Sequence, residues 1–152
     1  IVPVVAKPHF VDNIAPVSEC TGVRINEAFL GSCNNGRIED LRLGASILKG
    51  HKVANKVRFL VVPASQAVYR QALREGLLDI FMEAGAMVMN PNCSVCWGSC
   101  QGVIGEGEVL ISTGTRNFKG RAGDKNSFVY LGSAATVAAS AIAGEIVSPY
   151  TY

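Results

Sequence analysis

The feature that most restricts how this chain folds is its regular alternation of short apolar runs, rich in β-branched residues, with segments of helical period. Strands are read at Glu27–Gly31, Val57–Val62, Ala86–Met89, Val109–Thr113 and Phe128–Leu131. Between them Ile38, Leu41, Ala45 and Leu48 recur at helical spacing and Gly50 supplies a stop, which predicts a helix over Ile38–Lys49. Ser65, following Pro63, is an N-cap for a helix that carries Val68, Ala72 and Leu73 and runs to about Arg74. Leu77–Ala84, closed by Gly85, makes another, and the Ala-rich Ser133–Ile142 makes the last, its small side chains suited to lying close on a sheet. Strands that alternate with helices are the pattern of βα units, so the expected class is α/β, three-layered, with a largely parallel sheet.

Residues 1–24, with Pro3, Pro8 and Pro16, read instead as an extended arm or inter-domain connection, and 25–152 as the α/β domain. A chain of 152 residues, 49% of them apolar, has the material for one domain with a proper core. Its 14 basic and 12 acidic residues are scattered through both halves without a basic run, so neither nucleic acid nor an acidic membrane is an implied partner. No stretch approaches the roughly 20 apolar residues a bilayer span needs, and Ile1–Phe10 lacks the pattern of a secretory signal. The expected location is therefore cytoplasmic. Because Ile1 is not a methionine, the chain is expected to be a piece of a longer polypeptide.

Three segments carry chemistry. Gly31-Ser32-Cys33-Asn34-Asn35-Gly36 follows a strand and opens a helix, where backbone N–H groups favour a thiolate, a sulfide or a carboxylate. Taken alone, it also reads as a buried cysteine in a tight turn. Cys93-Ser94-Val95-Cys96 presents two thiols from one loop bounded by Pro91 and Gly98, a spacing used by zinc sites, redox dithiols and iron–sulfur sites alike. Its late position and the distant Cys33 favour metal over redox chemistry. Thr113–Arg121 places Arg116 and Arg121 in a glycine-containing loop after a strand, and their planar forks suit the carboxylates of a di- or tricarboxylic acid as well as they suit surface ion pairs.

Taken in order, Gly-Ser-Cys, then Cys-x2-Cys sixty positions after Cys33, then Arg-Asn-Phe-x-Gly-Arg, resemble the cluster domain of the aconitase and isopropylmalate dehydratase family. Arg37–Leu41, Val62–Ser65, Glu83–Gly85 and Gly132–Ala135 extend the resemblance over most of the chain. Asn34, Asn92 and Thr115 depart from it, standing where the family usually has Thr, Gly and Asn, which leaves room for an unusual substrate. The resemblance implies the fold of aconitase's third domain and a four-iron, four-sulfur (4Fe-4S) cluster on Cys33, Cys93 and Cys96. One iron would lack a protein ligand and act as a Lewis acid on a 2-hydroxy acid of isopropylmalate, homocitrate, dimethylmalate or citrate type. Arg116 and Arg121 would bind its carboxylates.

It further implies that no proton-transfer residue lies in this chain, so the chain alone does not turn over substrate. The preceding domains of the large subunit and a small, swivelling subunit bearing a fourth domain are the expected partners, the two-subunit type being indicated if Tyr152 is a natural terminus. Cys20 reads as a structural thiol, and His9 and His51 are given no role. Cys100, in a C-x2-C-x3-C array, opens the alternative of four thiolates closing a zinc site or a saturated cluster, as in a non-catalytic domain for electron transfer or iron sensing.

Overall fold

Strand β3 (Glu27–Gly31) is buried at all five residues, which makes it the centre around which the other strands assemble. The computed structural model describes residues 1–152. With β1 (Val4–Ala6), β2 (Ile14–Pro16), β4 (Arg58–Val62), β5 (Met87–Val88), β6 (Val109–Ser112) and β7 (Phe128–Leu131), β3 forms one sheet in the order β2-β1-β7-β6-β3-β4-β5. All pairings from β7 through to β5 are parallel. Residues 1–24 contribute β1 and β2, an antiparallel pair joined to the sheet by an antiparallel contact between Ala6 and Leu131.

The class is α/β with a largely parallel sheet, and the strand interiors show why it is layered. Side chains alternate between the two faces of a strand. Ala28, Leu30, Phe59, Val61 and Ile111 enter a large core of 24 buried residues. That core is shared with α2 (Ile38–Leu48), α3 (Gln66–Arg74), α4 (Leu77–Ala84) and α5 (Ala134–Ala143). Ala138, Ala139 and Ala141 are fully buried in α5, and Ser133 caps its start by accepting a hydrogen bond from the Thr136 N–H at 3.2 Å. No helix is long and apolar enough to cross a membrane.

Phe29, Leu60, Val62 and Leu110, which alternate with the first set, enter a second core of 8 residues. Val129 of β7 joins them, and Val95, Ile104 and Ala122 complete it from loops and one short 3-10 turn rather than from α-helices. The layer over this face is thus irregular chain, and it includes both the Cys93–Cys96 loop and the segment that ends in Arg121. Two candidate loops are packed elements of the fold, held by their own apolar anchors.

Candidate functional site

Cys33 follows directly from β3. Gly31 ends that strand at φ 154°, Ser32 turns at φ 76°, and a single helical turn, α1 (Ser32–Asn35), carries Cys33 into solvent. Thr113, just past β6, fixes the turn. Its hydroxyl accepts from the Gly31 N–H at 2.9 Å and lies 3.2 Å from the Gly31 carbonyl, to which it donates, while the Asn35 carboxamide donates to the Thr113 carbonyl.

The second loop is built on Ser94, which is fully buried at φ 46°. Its N–H donates to Asn92 Oδ1 at 2.5 Å and its hydroxyl to the Gln101 carbonyl at 2.7 Å, closing the chain from 92 to 101 into one unit. Asn92, one of the departures from the resembled pattern, therefore has a local task. Its side chain forms the turn that starts the loop. A short 3-10 turn, Ser94–Trp97, then brings Cys96 round, with its N–H on the Cys93 carbonyl at 3.0 Å.

The third loop closes on the second. Arg121 donates from Nε to the Cys96 carbonyl at 2.6 Å and lies over the Phe118 ring, 5.5 Å from its centroid. A side-chain carbon placed on Gly114 would stand 3.7 Å from Cys96 Sγ, so Thr113 and Gly114 run past that thiol. Asn117, 1% exposed, donates to the carbonyls of Lys7 and Phe10 at 2.8 and 3.2 Å and so pins the amino-terminal segment to this loop.

The structure brings Cys33, Cys93 and Cys96 to one place from two loops. The Cys93 thiol is pushed above its ordinary range by desolvation, then by the neighbouring Cys33, Cys96 and Cys100. Neighbouring thiols oppose each other's ionisation, and a cation among them would reverse that effect. No three histidine, cysteine or carboxylate groups close around a single-ion position. Cys100, at φ 66°, is exposed, whereas Cys20 is buried in the large core. His9 packs by Phe128 and His51 by Tyr152.

Arg116 is exposed and its hydrogen bond goes to the adjacent Thr115 carbonyl, so it is not brought onto the cysteines as Arg121 is. Sequence reasoning assigned no role to Ser32, Ser94, Thr113 or Asn117. Two of them hold buried oxygens without a partner, Ser32 Oγ and Asn117 Oδ1. The four non-glycine residues at positive φ are Ser32, Ser94, Cys100 and His9, and all lie on these loops or hydrogen-bonded to them, His9 through its N–H to the Asn117 carbonyl. Positive-φ residues and two of the unpartnered buried oxygens thus cluster on the same loops, which makes this face the candidate site.

The aconitase family (aconitate hydratase) model matches residues 6–144. Over 149 residues the chain is 54% identical to 3-isopropylmalate dehydratase large subunit 2 of Archaeoglobus fulgidus, covering 98% of this chain and 36% of that protein. It is 56% identical over 147 residues to a probable 3-isopropylmalate dehydratase large subunit of Methanothermobacter thermautotrophicus, covering 97% and 35%. With the methanogen homoaconitase large subunit of Methanocaldococcus jannaschii it shares 51% over 144 residues, covering 95% and 34%. The chain spans about a third of the length of these curated relatives. With a family match along nearly its whole length and a parallel α/β sheet whose loops gather the three motif cysteines, this chain belongs to the aconitase family.

Proposed function

We propose that the chain is the cluster-bearing part of a hydro-lyase that dehydrates or isomerises a 2-hydroxy di- or tricarboxylic acid, with Cys33, Cys93 and Cys96 as ligands of a 4Fe-4S cluster. The observation that carries this reading is the approach of Cys33 to Cys93 across sixty residues of sequence, with Cys96 one short turn further on. The donor set fits: soft thiols from two loops and a buried, unpartnered Ser32 hydroxyl beside Cys33. Three thiolates from two loops suit a polynuclear group in which each corner takes one thiolate.

When bound, such a cluster with three protein ligands supplies an open iron that acts as a Lewis acid on the substrate hydroxyl and a carboxylate. The chain's own residues then position and bind. Arg121 fixes the Cys96 carbonyl through Nε, which leaves the terminal nitrogens of its fork for a carboxylate. Arg116, exposed on the same loop, would need to turn from the Thr115 carbonyl to bind a second carboxylate. Trp97 and Phe118 stand 58% and 50% exposed on the same loops, an apolar rim that suits cover by the remaining domains of a large subunit and by a small subunit. Five free thiols suit a reducing compartment such as the cytoplasm.

The nearness of Cys100 to Cys93 favours one second reading, a closed four-thiolate site without hydratase chemistry. Anaerobic reconstitution with iron and sulfide, followed by electron paramagnetic resonance or Mössbauer spectroscopy with and without a hydroxy acid such as isopropylmalate, separates the two. A change confined to one iron is expected. A cluster indifferent to the acid, or zinc in its place, overturns the hydro-lyase reading.

A further inference from the structure

Glu27 opens β3 at the end opposite Cys33 and is 0% exposed. The charged groups facing it are Arg58 from β4 and Glu108 from the turn before β6. They compete for one guanidinium. Glu108 takes both terminal nitrogens of Arg58 at 2.9 Å, and Glu27 receives only Nε, at 2.9 Å on Oε2. Oε1 of Glu27 is buried without a partner. Directly against it lies Gly102, the residue after the Ser94-to-Gln101 closure. A side-chain carbon there would stand 2.9 Å from Glu27 Oε1, 2.6 Å from Leu60 Cδ2 and 3.5 Å from Val95 Cβ. The far end of the cysteine loop is therefore seated in a niche whose floor is the unpartnered oxygen of a buried acid.

We propose that Glu27 is a positioning residue for the Cys93–Cys96 loop, seating its Gly102 end through the buried carboxyl; its functional meaning, though not its measurement, rests on the metal-binding reading above. Carrying its proton, the carboxyl leaves the niche uncharged. Ionised, it sets an uncompensated negative oxygen against backbone, beside a second carboxylate that already holds the arginine fork. Burial, opposed by Arg58 and reinforced by Glu108, raises the Glu27 pKa to about 7. The proton is thus bound more tightly when the loop is seated than when it is open and the acid is wet. Between the ordinary carboxyl pKa of about 4.5 and about 7, seating weakens as pH rises, and above about 7 the effect levels off.

Hydrogen exchange, expressed as protection relative to intrinsic chemical rates, tests this on the cluster-free 152-residue chain, so it is decided whether or not a cluster forms. Protection of residues 92–102 is expected to fall by up to about tenfold per pH unit between pH 5 and 7 and then flatten, with α2 unchanged. Glu27→Gln, which keeps the shape without the charge, should hold protection level across that range. Gly102→Ala should loosen the same segment at every pH. A wild-type profile without pH dependence, the same profile in Glu27→Gln, or a loss that extends to α2 overturns the proposal. Should Glu27→Gln fail to fold, the wild-type profile referenced to α2 and the Gly102→Ala result decide it.

Discussion

Replacing Cys33, Cys93 or Cys96 singly with serine should cut the iron and sulfide retained after anaerobic reconstitution from a full cluster to little or none, while Cys100→Ser retains it. A hydroxyl is a hard, weakly acidic donor that substitutes poorly for a thiolate on iron. Loss of one of three ligands also removes a corner that no other side chain of this face replaces unless Cys100 does. Cys100 is the one further thiol near Cys93, so the fourth variant carries the decision. Equal loss in all four would favour the closed four-thiolate site and remove the open iron on which the proposed chemistry depends. No loss in any would remove the site. Iron, acid-labile sulfide and visible absorbance per chain are sufficient readouts, and circular dichroism separates ligand loss from unfolding.

Gly31→Ala is expected to destabilise the chain by about 3 kcal/mol or more. Two effects add. Gly31 sits at φ 154° and ψ −145°, a region that side chains other than glycine's avoid, at a cost of about 1–3 kcal/mol. Its added carbon would also lie 2.3 Å from the Val62 carbonyl oxygen, on the neighbouring β4 with which Gly31 is in register. That neighbour is backbone and cannot swing away, so relief requires parting the central strands. Gly22 is the control. It has φ 88° with nothing within 4 Å of an added carbon, so Gly22→Ala bears only the backbone cost, about 1 kcal/mol. Thermal melts should show a loss of roughly 6–12 °C or more for Gly31→Ala, by ~2–4 °C per kcal/mol for a chain of this size, and a small one for Gly22→Ala. Comparable melts would show that the turn before Cys33 is not the tight junction described.

The fold was legible wherever the apolar pattern had a period. β3, β4, β6 and β7 and the helices α2 to α5 lie where alternation and helical spacing put them, because burial on a sheet face or a helix stripe repeats at every second residue or every three to four. β1 and β2 escaped the reading, since three-residue strands interrupted by prolines carry no measurable period. The irregular third layer escaped it too. Val95, Ile104 and Ala122 are isolated apolar residues in polar surroundings, and nothing local distinguishes an anchor of a second core from an incidental hydrophobe.

At the site, the ordered motifs and the family resemblance they carry named Cys33, Cys93, Cys96, Arg116 and Arg121 as candidates, because reactive side chains are chosen for what they are. Where they stand relative to one another was decided by the tertiary structure. Parallel pairing of β3 with β4 and β6 carries the Cys33 and Arg loops to the same sheet end, and the second core holds the Cys93–Cys96 loop over them. The same packing turned Arg121 onto the Cys96 carbonyl while leaving Arg116 at the rim. Glu27 shows the limit most directly. From sequence it had no role beyond opening a strand, and only the arrival of Arg58, Glu108 and Gly102 from three other parts of the chain buries its charge, because desolvation is a property of the assembled surroundings rather than of the residue.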